Sequence, residues 1–170
     1  MSRAQSGDLF AEICALGTLD DAWERVRANN GCSGGDGEAV DEFQRRAANR
    51  LVALSNALKN GSYRPRDLRI LQIPKRLGGI RPLAIPSIID RVAQTAGAIV
   101  LTPILDPRFA DSSFAYRPGR SVTQAVQRIG ALRKRGFGHV VEARIQRCFE
   151  RIPHDAVLTR LRTGAGGPKR

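Results

Sequence analysis

The sequence predicts an α+β fold, in which amphipathic helices flank one antiparallel hairpin. A stretch of alternating apolar and polar residues doubles back over a Gly-Gly turn, a pattern typical of a β-hairpin. Other apolar residues recur at helical spacing before and after that hairpin. Alternating α and β elements are also compatible with an α/β fold, but an antiparallel hairpin with segregated helices favours α+β. At 170 residues the chain can form its own core.

The first forty residues carry two short helical patterns, and the second is predicted to begin at a capping box, Thr18 to Asp21. Their apolar faces consist of Leu9, Ile13 and Leu16, and of Ala22, Trp23 and Val26. The glycine-rich residues 31–37 then predict a flexible loop. One long amphipathic helix follows from Phe43 to Leu58, and Asn60-Gly61 is predicted to end it in a left-handed turn.

The hairpin consists of two strands, Arg66 to Ile73 and Ile80 to Ile85, joined by the turn Lys75 to Gly79. A helix is predicted next, with Ser87 and Asp90 in capping-box spacing. Its predicted core face consists of Ile88, Val92, Ala96, Ile99 and Val100. Pro103 and the pair Asp106-Pro107 are predicted to stop it.

The last third of the chain predicts a helix, a strand and a helix. A capped helix from Ser121 to Leu132 is expected to bury Val122, Ala125, Val126 and Ile129. Residues His139 to Ile145 predict a buried strand, and Pro153 is predicted to open a helix through Leu161. Residues 163–170 predict a flexible tail.

Composition favours a polyanionic partner. The net charge is +12, from 28 Lys and Arg against 16 Asp and Glu, which is typical of proteins that bind nucleic acid or an anionic membrane. A membrane is disfavoured, because the apolar stretch Val92 to Leu105 is shorter than the ~20 residues of a spanning helix and the first residues lack an apolar leader. Three widely spaced cysteines indicate reduced thiols, so a cytoplasmic location is expected.

Two segments carry cations suited to phosphate groups. Lys75 and Arg81 bracket the Gly78-Gly79 turn and could project toward one anion such as a triphosphate, although an exposed basic hairpin with nothing bound is equally compatible. The segment Tyr116 to Arg120 places one aromatic ring and two cations on a loop, which suits a single strand of nucleic acid. The same segment is also compatible with a turn before the Ser121 cap.

Several short sequence blocks follow one another in a fixed order along the chain. They are Asn29-Asn30-Gly31 with Gly35-Asp36-Gly37, Tyr63-x-Pro65, Ile73-Pro74-Lys75, Gly79-x-Arg81-Pro82-Leu83-x-Ile85-Pro86, Asp90-Arg91-x-x-Gln94 and Asp111 to Ser121. Together they resemble the opening blocks of reverse transcriptases of the group II intron and CRISPR-associated kind, from about Asn29 to Leu161.

The resemblance implies an incomplete right-hand polymerase fold, with a fingers subdomain and the first strand and helix of the palm. The implied regions are a helical extension at 1–28, a fingers-like region at 29–138, the start of the palm at 139–162 and a flexible tail at 163–170. Lys75 and Arg81 match the cations that touch the nucleotide's phosphates. The blocks that the family uses against the template backbone or for packing the fingers contain Arg91, Tyr116, Arg117 and Arg120.

Arg144 stands where the family has a metal-binding aspartate. A guanidinium repels the magnesium ions that such polymerases use, so no productive metal site is expected in this chain. Glu142 lies on the same strand face but roughly 6.6 Å away, too far to substitute. Phe149 matches the ring that screens the sugar 2′-hydroxyl, or else packs in the core, and the family's Tyr-x-Asp-Asp hairpin does not occur.

The expected function is that of a reverse-transcriptase-like fragment that binds nucleic acid and does not polymerise alone. Its expected partners are an RNA template and a DNA/RNA hybrid. One alternative is a non-catalytic RNA-binding module, either maturase-like or an accessory of CRISPR adaptation that works beside an integrase. The other is one half of a split polymerase, with a separate chain that supplies palm and thumb.

Overall fold

The computed structural model describes residues 8–76, 78–146 and 148–166, apart from the side chains of Phe149, Glu150 and residues 162–166. The chain divides into two compact units, with the boundary in the sequence between Thr102 and Pro103. That boundary falls inside the predicted fingers-like region, 29–138. The domain boundaries implied by the resemblance stay predictions.

Four helices precede the hairpin in the first unit. They are α1 (Leu9–Ile13), α2 (Leu16–Ala28), α3 (Val40–Arg45) and α4 (Ala47–Lys59). The predicted capping box at Thr18 is wrong, because α2 begins two residues earlier, after Ala15, without a side-chain cap. The predicted single long helix is also wrong, because the backbone leaves helical geometry at Arg46, with φ of −125°. Gly61 ends α4 with φ of +71°, which confirms the predicted left-handed turn.

The core of the first unit forms where α2, α3, α4 and a later helix, α5 (Ile88–Leu105), bring their apolar faces together. Trp23 packs on Phe43 with ring centroids 4.6 Å apart. The Ser55 hydroxyl, which is also buried, donates a hydrogen bond of 2.6 Å to the Cys14 carbonyl oxygen and so satisfies a polar group inside the core. Apolar burial on several helix faces therefore holds this unit together.

The predicted hairpin is confirmed. Strand β1 (Arg69–Pro74) pairs antiparallel with β2 (Ile80–Ile85), with Ile73 opposite Arg81. Gly78 and Gly79 have φ of +89° and +88°, a region that residues with a Cβ rarely occupy, and this lets the chain reverse. Most hairpin side chains are exposed, and Ile85 anchors the end of β2 by burial.

Helix α5 passes through Pro103, so the prediction that this proline stops the helix is wrong. A proline in the last turn removes one backbone donor but leaves its own carbonyl available. A 3-10 turn, Asp106–Arg108, follows. The helical stretch Ile88–Arg108 is long and apolar enough to cross a membrane by length and composition alone, and core helices of soluble proteins meet the same test. The apolar stretch predicted from the sequence, Val92 to Leu105, is therefore shorter than the observed helical stretch. The apolar face of α5 from Ile88 to Val100 is buried in the core of the first unit.

The second unit contains α6 (Val122–Lys134), α7 (Cys148–Arg151) and α8 (His154–Gly166). Both halves of the capping box predicted at Ser121 and Gln124 are present. The predicted core face of α6 is wrong, because Val122, Val126 and Ile129 are exposed. Residues 163–166 belong to α8, although they are predicted to form a tail, and 167–170 lie outside the described residues.

Residues His139 to Ile145 do not form the predicted buried strand. They have no regular secondary structure, and their side chains are exposed. A strand requires a neighbouring strand to pair its backbone groups, and β1 and β2 pair only with each other among the described residues. The apolar run therefore indicates strand propensity without supplying a partner.

Candidate nucleic-acid interface

Lys75 and Arg81, at the two sides of the hairpin turn, carry charges without a partner among the described residues. The Lys75 backbone N–H donates to the Gly79 carbonyl at 2.9 Å, and the Gly78 N–H donates to the Lys75 carbonyl at 3.1 Å, so the turn is closed by its own backbone. The side chains of Lys75 and Arg81 are exposed and have no ion pair or side-chain hydrogen bond within residues 8–76, 78–146 and 148–166. Both charges are thus available to an anion.

Three arginines hold the glycine loop, residues 31–37, against the rest of the first unit. Arg91 donates to the Cys32 carbonyl at 2.8 Å, and Arg69 donates to the Ser33 hydroxyl at 3.0 Å. Arg66 forms an ion pair of 2.7 Å with Asp36. The loop is therefore docked, which corrects the prediction that it is flexible. The same contacts link the start of the hairpin and the start of α5 to one loop.

Close backbone approach explains two of the glycines in this loop. A Cβ at Gly35 would lie 2.1 Å from the Asp67 carbonyl oxygen, and one at Gly34 would lie 2.5 Å from the Ser87 nitrogen. Neither contact is possible for a residue with a side chain unless the backbone moves. Glycine is thus required for the loop to touch both the segment before β1 and the residue before α5.

Asp90 is a buried acceptor that joins α5 to the segment before the hairpin. Its carboxylate accepts hydrogen bonds from the Tyr63 hydroxyl, from the Arg66 backbone N–H at 3.1 Å and from the Ser87 hydroxyl at 2.6 Å. Burial, followed by the hydrogen bond to Asp90, raises the pKa of Tyr63 above its ordinary value. The sequence indicates Asp90 as a capping residue beside Ser87 but not as the link to Tyr63 and Arg66, because those two partners lie more than twenty residues away.

The predicted nucleic-acid residue Arg91 is half-buried and already bonded to the loop. Its Nε is buried without a hydrogen-bond partner among the described residues. The structure thus gives Arg91 a positioning role for residues 31–37, and only part of its guanidinium faces solvent.

In the second unit, Arg117 organises the loop that carries Tyr116. All five N–H groups of Arg117 donate hydrogen bonds. Three go to the carboxylate and the carbonyl oxygen of Asp106, and two go to the carbonyl oxygens of Ala110 and Ser113. Its side chain is only 6% exposed. The hydrogen bond from Arg117 is the main reason that the pKa of Asp106 lies below its ordinary value. A contact between Arg117 and nucleic acid would require this network to break. The predicted contact stays a prediction, and the structure shows that the side chain is used to hold the loop together.

Tyr116 itself is fully exposed, and its backbone has φ of +57°, an uncommon conformation for a residue with a bulky side chain. Arg120 follows, with its guanidinium 5.8 Å from the Phe114 ring centroid and 3.3 Å from the Asp111 carbonyl oxygen. The loop therefore offers one free aromatic ring beside a cation that is partly occupied.

Arg144 forms an ion pair of 2.7 Å with Glu142, and both side chains are mostly exposed, at 87% and 72%. The nearby carboxylate thus binds a guanidinium. Within the described residues, no group of three His, Cys, Asp or Glu side chains is placed to hold a metal ion. These residues do not fit the magnesium ions that the resemblance implies.

Phe149 is predicted to screen the sugar 2′-hydroxyl or to pack in the core. Its side chain lies outside the part of the chain that the structure describes.

Comparison with known proteins gives related sequences, although no protein-family model matches the chain. Group II intron-encoded protein LtrA of Lactococcus lactis subsp. cremoris is 34% identical over 143 residues, which cover 81% of this chain and 23% of LtrA. Protein YkfC of Escherichia coli (strain K12) is 32% identical over 136 residues, 76% of this chain and 35% of YkfC. A putative COX1/OXI3 intron 1 protein of Saccharomyces cerevisiae is 29% identical over 112 residues, 66% of this chain and 13% of that protein.

The chain spans about a quarter of LtrA and about a third of YkfC. The similarity covers most of this chain, and several of the relatives are intron proteins by name. This agrees with the family resemblance of the ordered sequence blocks. The chain therefore belongs to the group II intron-encoded, reverse transcriptase-like and maturase-like proteins.

Proposed function

We propose that the chain is an RNA-binding module of the reverse-transcriptase type, with a fingers-like fold, and that it does not polymerise by itself. The observation that carries the proposal is the pair of exposed cations, Lys75 and Arg81, on the hairpin. They have no carboxylate partner in the described part of the chain, and the net charge of +12 favours approach to a polyanion.

The docked loop supports this proposal because it fixes the base of the hairpin. Arg69, the first residue of β1, is bonded to Ser33, and Arg66 is paired with Asp36. A hairpin held at its base loses less conformational freedom when its tip binds a phosphate, so less of the binding free energy is lost to ordering.

Tyr116 supplies a second type of contact in the other unit. A fully exposed aromatic ring can stack on an unpaired base whatever its sequence. The uncommon backbone conformation at Tyr116 is retained because Arg117 fixes the loop around it. We propose that Tyr116 and Arg120 contact single-stranded RNA, while Arg117 positions the loop.

Binding without polymerisation follows from the residues around position 144. The guanidinium of Arg144 neutralises the nearby carboxylate of Glu142, so the pair offers no net negative charge to hold a divalent cation. The partner that the proposal requires is RNA, with no metal ion held by this chain.

A salt titration of RNA binding tests the proposal. Fluorescence anisotropy with a labelled single-stranded RNA should give a binding constant that falls linearly with salt on a double-logarithmic plot. With contacts from Lys75, Arg81, Arg120 and other exposed cations, we expect a slope of about −2 or steeper, at about 0.7 for each phosphate contact. The proposal would be contradicted by a slope near zero. It would also be contradicted if the chain bound RNA no more tightly than it binds a neutral polymer.

A further inference from the structure

Residues 139–145, the extended segment, expose both their side chains and their backbone. Val140, Val141 and Ile145 are 82%, 91% and 76% exposed. Among the described residues, the segment makes no backbone hydrogen bond; the nearest one before it joins the Phe137 N–H to the Leu132 carbonyl. An apolar run with unpaired N–H and C=O groups has the properties of a free sheet edge and can template pairing with another strand.

The side chains of the extended segment separate into two faces when it is read as a strand. Successive residues alternate in direction, so Val141, Ala143 and Ile145 share one face, which is apolar from Val141 to Ile145 and carries His139 at its start. Glu142 and Arg144 share the other face, and the ion pair between them agrees with this alternation. One face can therefore be buried by apolar contact and the other can form ion pairs.

We infer that two copies of this chain associate through the extended segment, paired as antiparallel strands about Ala143. In this register, Glu142 lies opposite Arg144 of the second copy, and Arg144 lies opposite Glu142 of that copy. Val141 and Ile145 also lie opposite each other twice. Each charged residue thus meets its opposite, and each large apolar residue of that face meets another.

The charge pattern selects this arrangement over the alternatives. Parallel in-register pairing would place Glu142 opposite Glu142 and Arg144 opposite Arg144, and like charges directly opposite destabilise a strand pair. A shift by one residue in the antiparallel register would place Arg144 opposite Ala143 and lose both charged pairs. The complementarity of the segment with itself therefore argues for a second copy as the occupant.

Apolar surface beside the segment can extend the contact. A groove of about 640 Å³ is lined by Ile129 and Leu132 of α6 together with Phe137, Val140 and Val141. In this register the two segments pair over only five residues, from Val141 to Ile145, so added apolar area is needed for stable association. Two chains of net charge +12 also repel each other, and this repulsion is screened at physiological salt, where the Debye length is about 8 Å.

Sedimentation equilibrium at about 0.15 M salt tests this inference on the full chain without RNA. The wild type should show a reversible monomer–dimer equilibrium. The single variants Glu142→Arg and Arg144→Glu should each raise the dimer dissociation constant by roughly tenfold, because both symmetric pairs become repulsive. Their effects on net charge are opposite, so a general charge effect would weaken one dimer and strengthen the other.

Mixing the two variants is the sharpest form of the test. Each variant alone lacks the ion pair within its own chain, but a heterodimer between them has opposite charges at both cross-strand pairs. The mixture should therefore associate at least as tightly as the wild type, and circular dichroism should show that both exposed substitutions leave the fold intact. A wild type that stays monomeric, a dimer that is insensitive to either reversal, or a mixture that associates no better than its components would overturn the inference.

Discussion

The double variant Lys75→Ala/Arg81→Ala is expected to bind single-stranded RNA roughly 25-fold more weakly than the wild type at about 0.1 M salt. Each phosphate contact contributes about 0.7 to the logarithmic salt slope, which corresponds to about fivefold in affinity at this salt concentration. The slope should become less negative by about 1.4. Fluorescence anisotropy titrations at several salt concentrations give both quantities.

A matched control removes the same charges from another surface. Arg45 and Lys59 are exposed on α3 and α4, so Arg45→Ala/Lys59→Ala lowers the net charge equally without altering the hairpin. This control should retain most of the wild-type affinity. Equal losses in the two double variants would mean that only net charge matters, and they would contradict the assignment of the hairpin as the contact surface.

The variant Gly35→Ala is expected to lower the free energy of unfolding by about 2–3 kcal/mol, because the backbone must move to relieve an overpacked contact. The added Cβ would lie 2.1 Å from the Asp67 carbonyl oxygen, which is backbone and cannot rotate away. Chemical denaturation measures the change. The loop should also lose its contact with the segment before β1, so RNA affinity should fall as well.

Gly97→Ala is the control for this substitution. Gly97 lies within α5, and a Cβ there meets nothing within 4 Å. Alanine at this position should stabilise the chain by roughly 0.4–1 kcal/mol, since it restricts the unfolded chain. If Gly35→Ala were as stable as Gly97→Ala, the docked position of the loop would be wrong.

Sequence analysis succeeds where structure is determined by neighbouring residues. The hairpin follows from alternation and the Gly78-Gly79 turn, and the α6 cap follows from the spacing of Ser121 and Gln124. The contacts of Asp90 and the docking of the glycine loop join distant parts of the chain, and their residues have ordinary local roles. Glycines close together, as at Gly34 and Gly35, are the signal that could have indicated close backbone approach.

Two of the errors share one physical origin, because periodicity predicts which residues share a face but not whether that face is covered. The face of α6 with Val122 and Val126 and the segment around Val141 are apolar and yet exposed. Arg117 shows the opposite error. An arginine on a polar loop suggests a surface contact, but its five donors are all used within the loop.

Primer extension tests the central claim, that this chain binds RNA without a metal centre for synthesis. The purified chain, an RNA template with an annealed DNA primer, deoxynucleoside triphosphates and magnesium are incubated together, and binding of the same RNA is measured in parallel. We predict RNA binding with no incorporation above a heat-inactivated sample, because the Glu142 carboxylate is paired with Arg144 and no group of three acidic or metal-ligating side chains is placed to hold a metal ion within the described residues. Template-dependent incorporation by the unmodified chain would contradict this account.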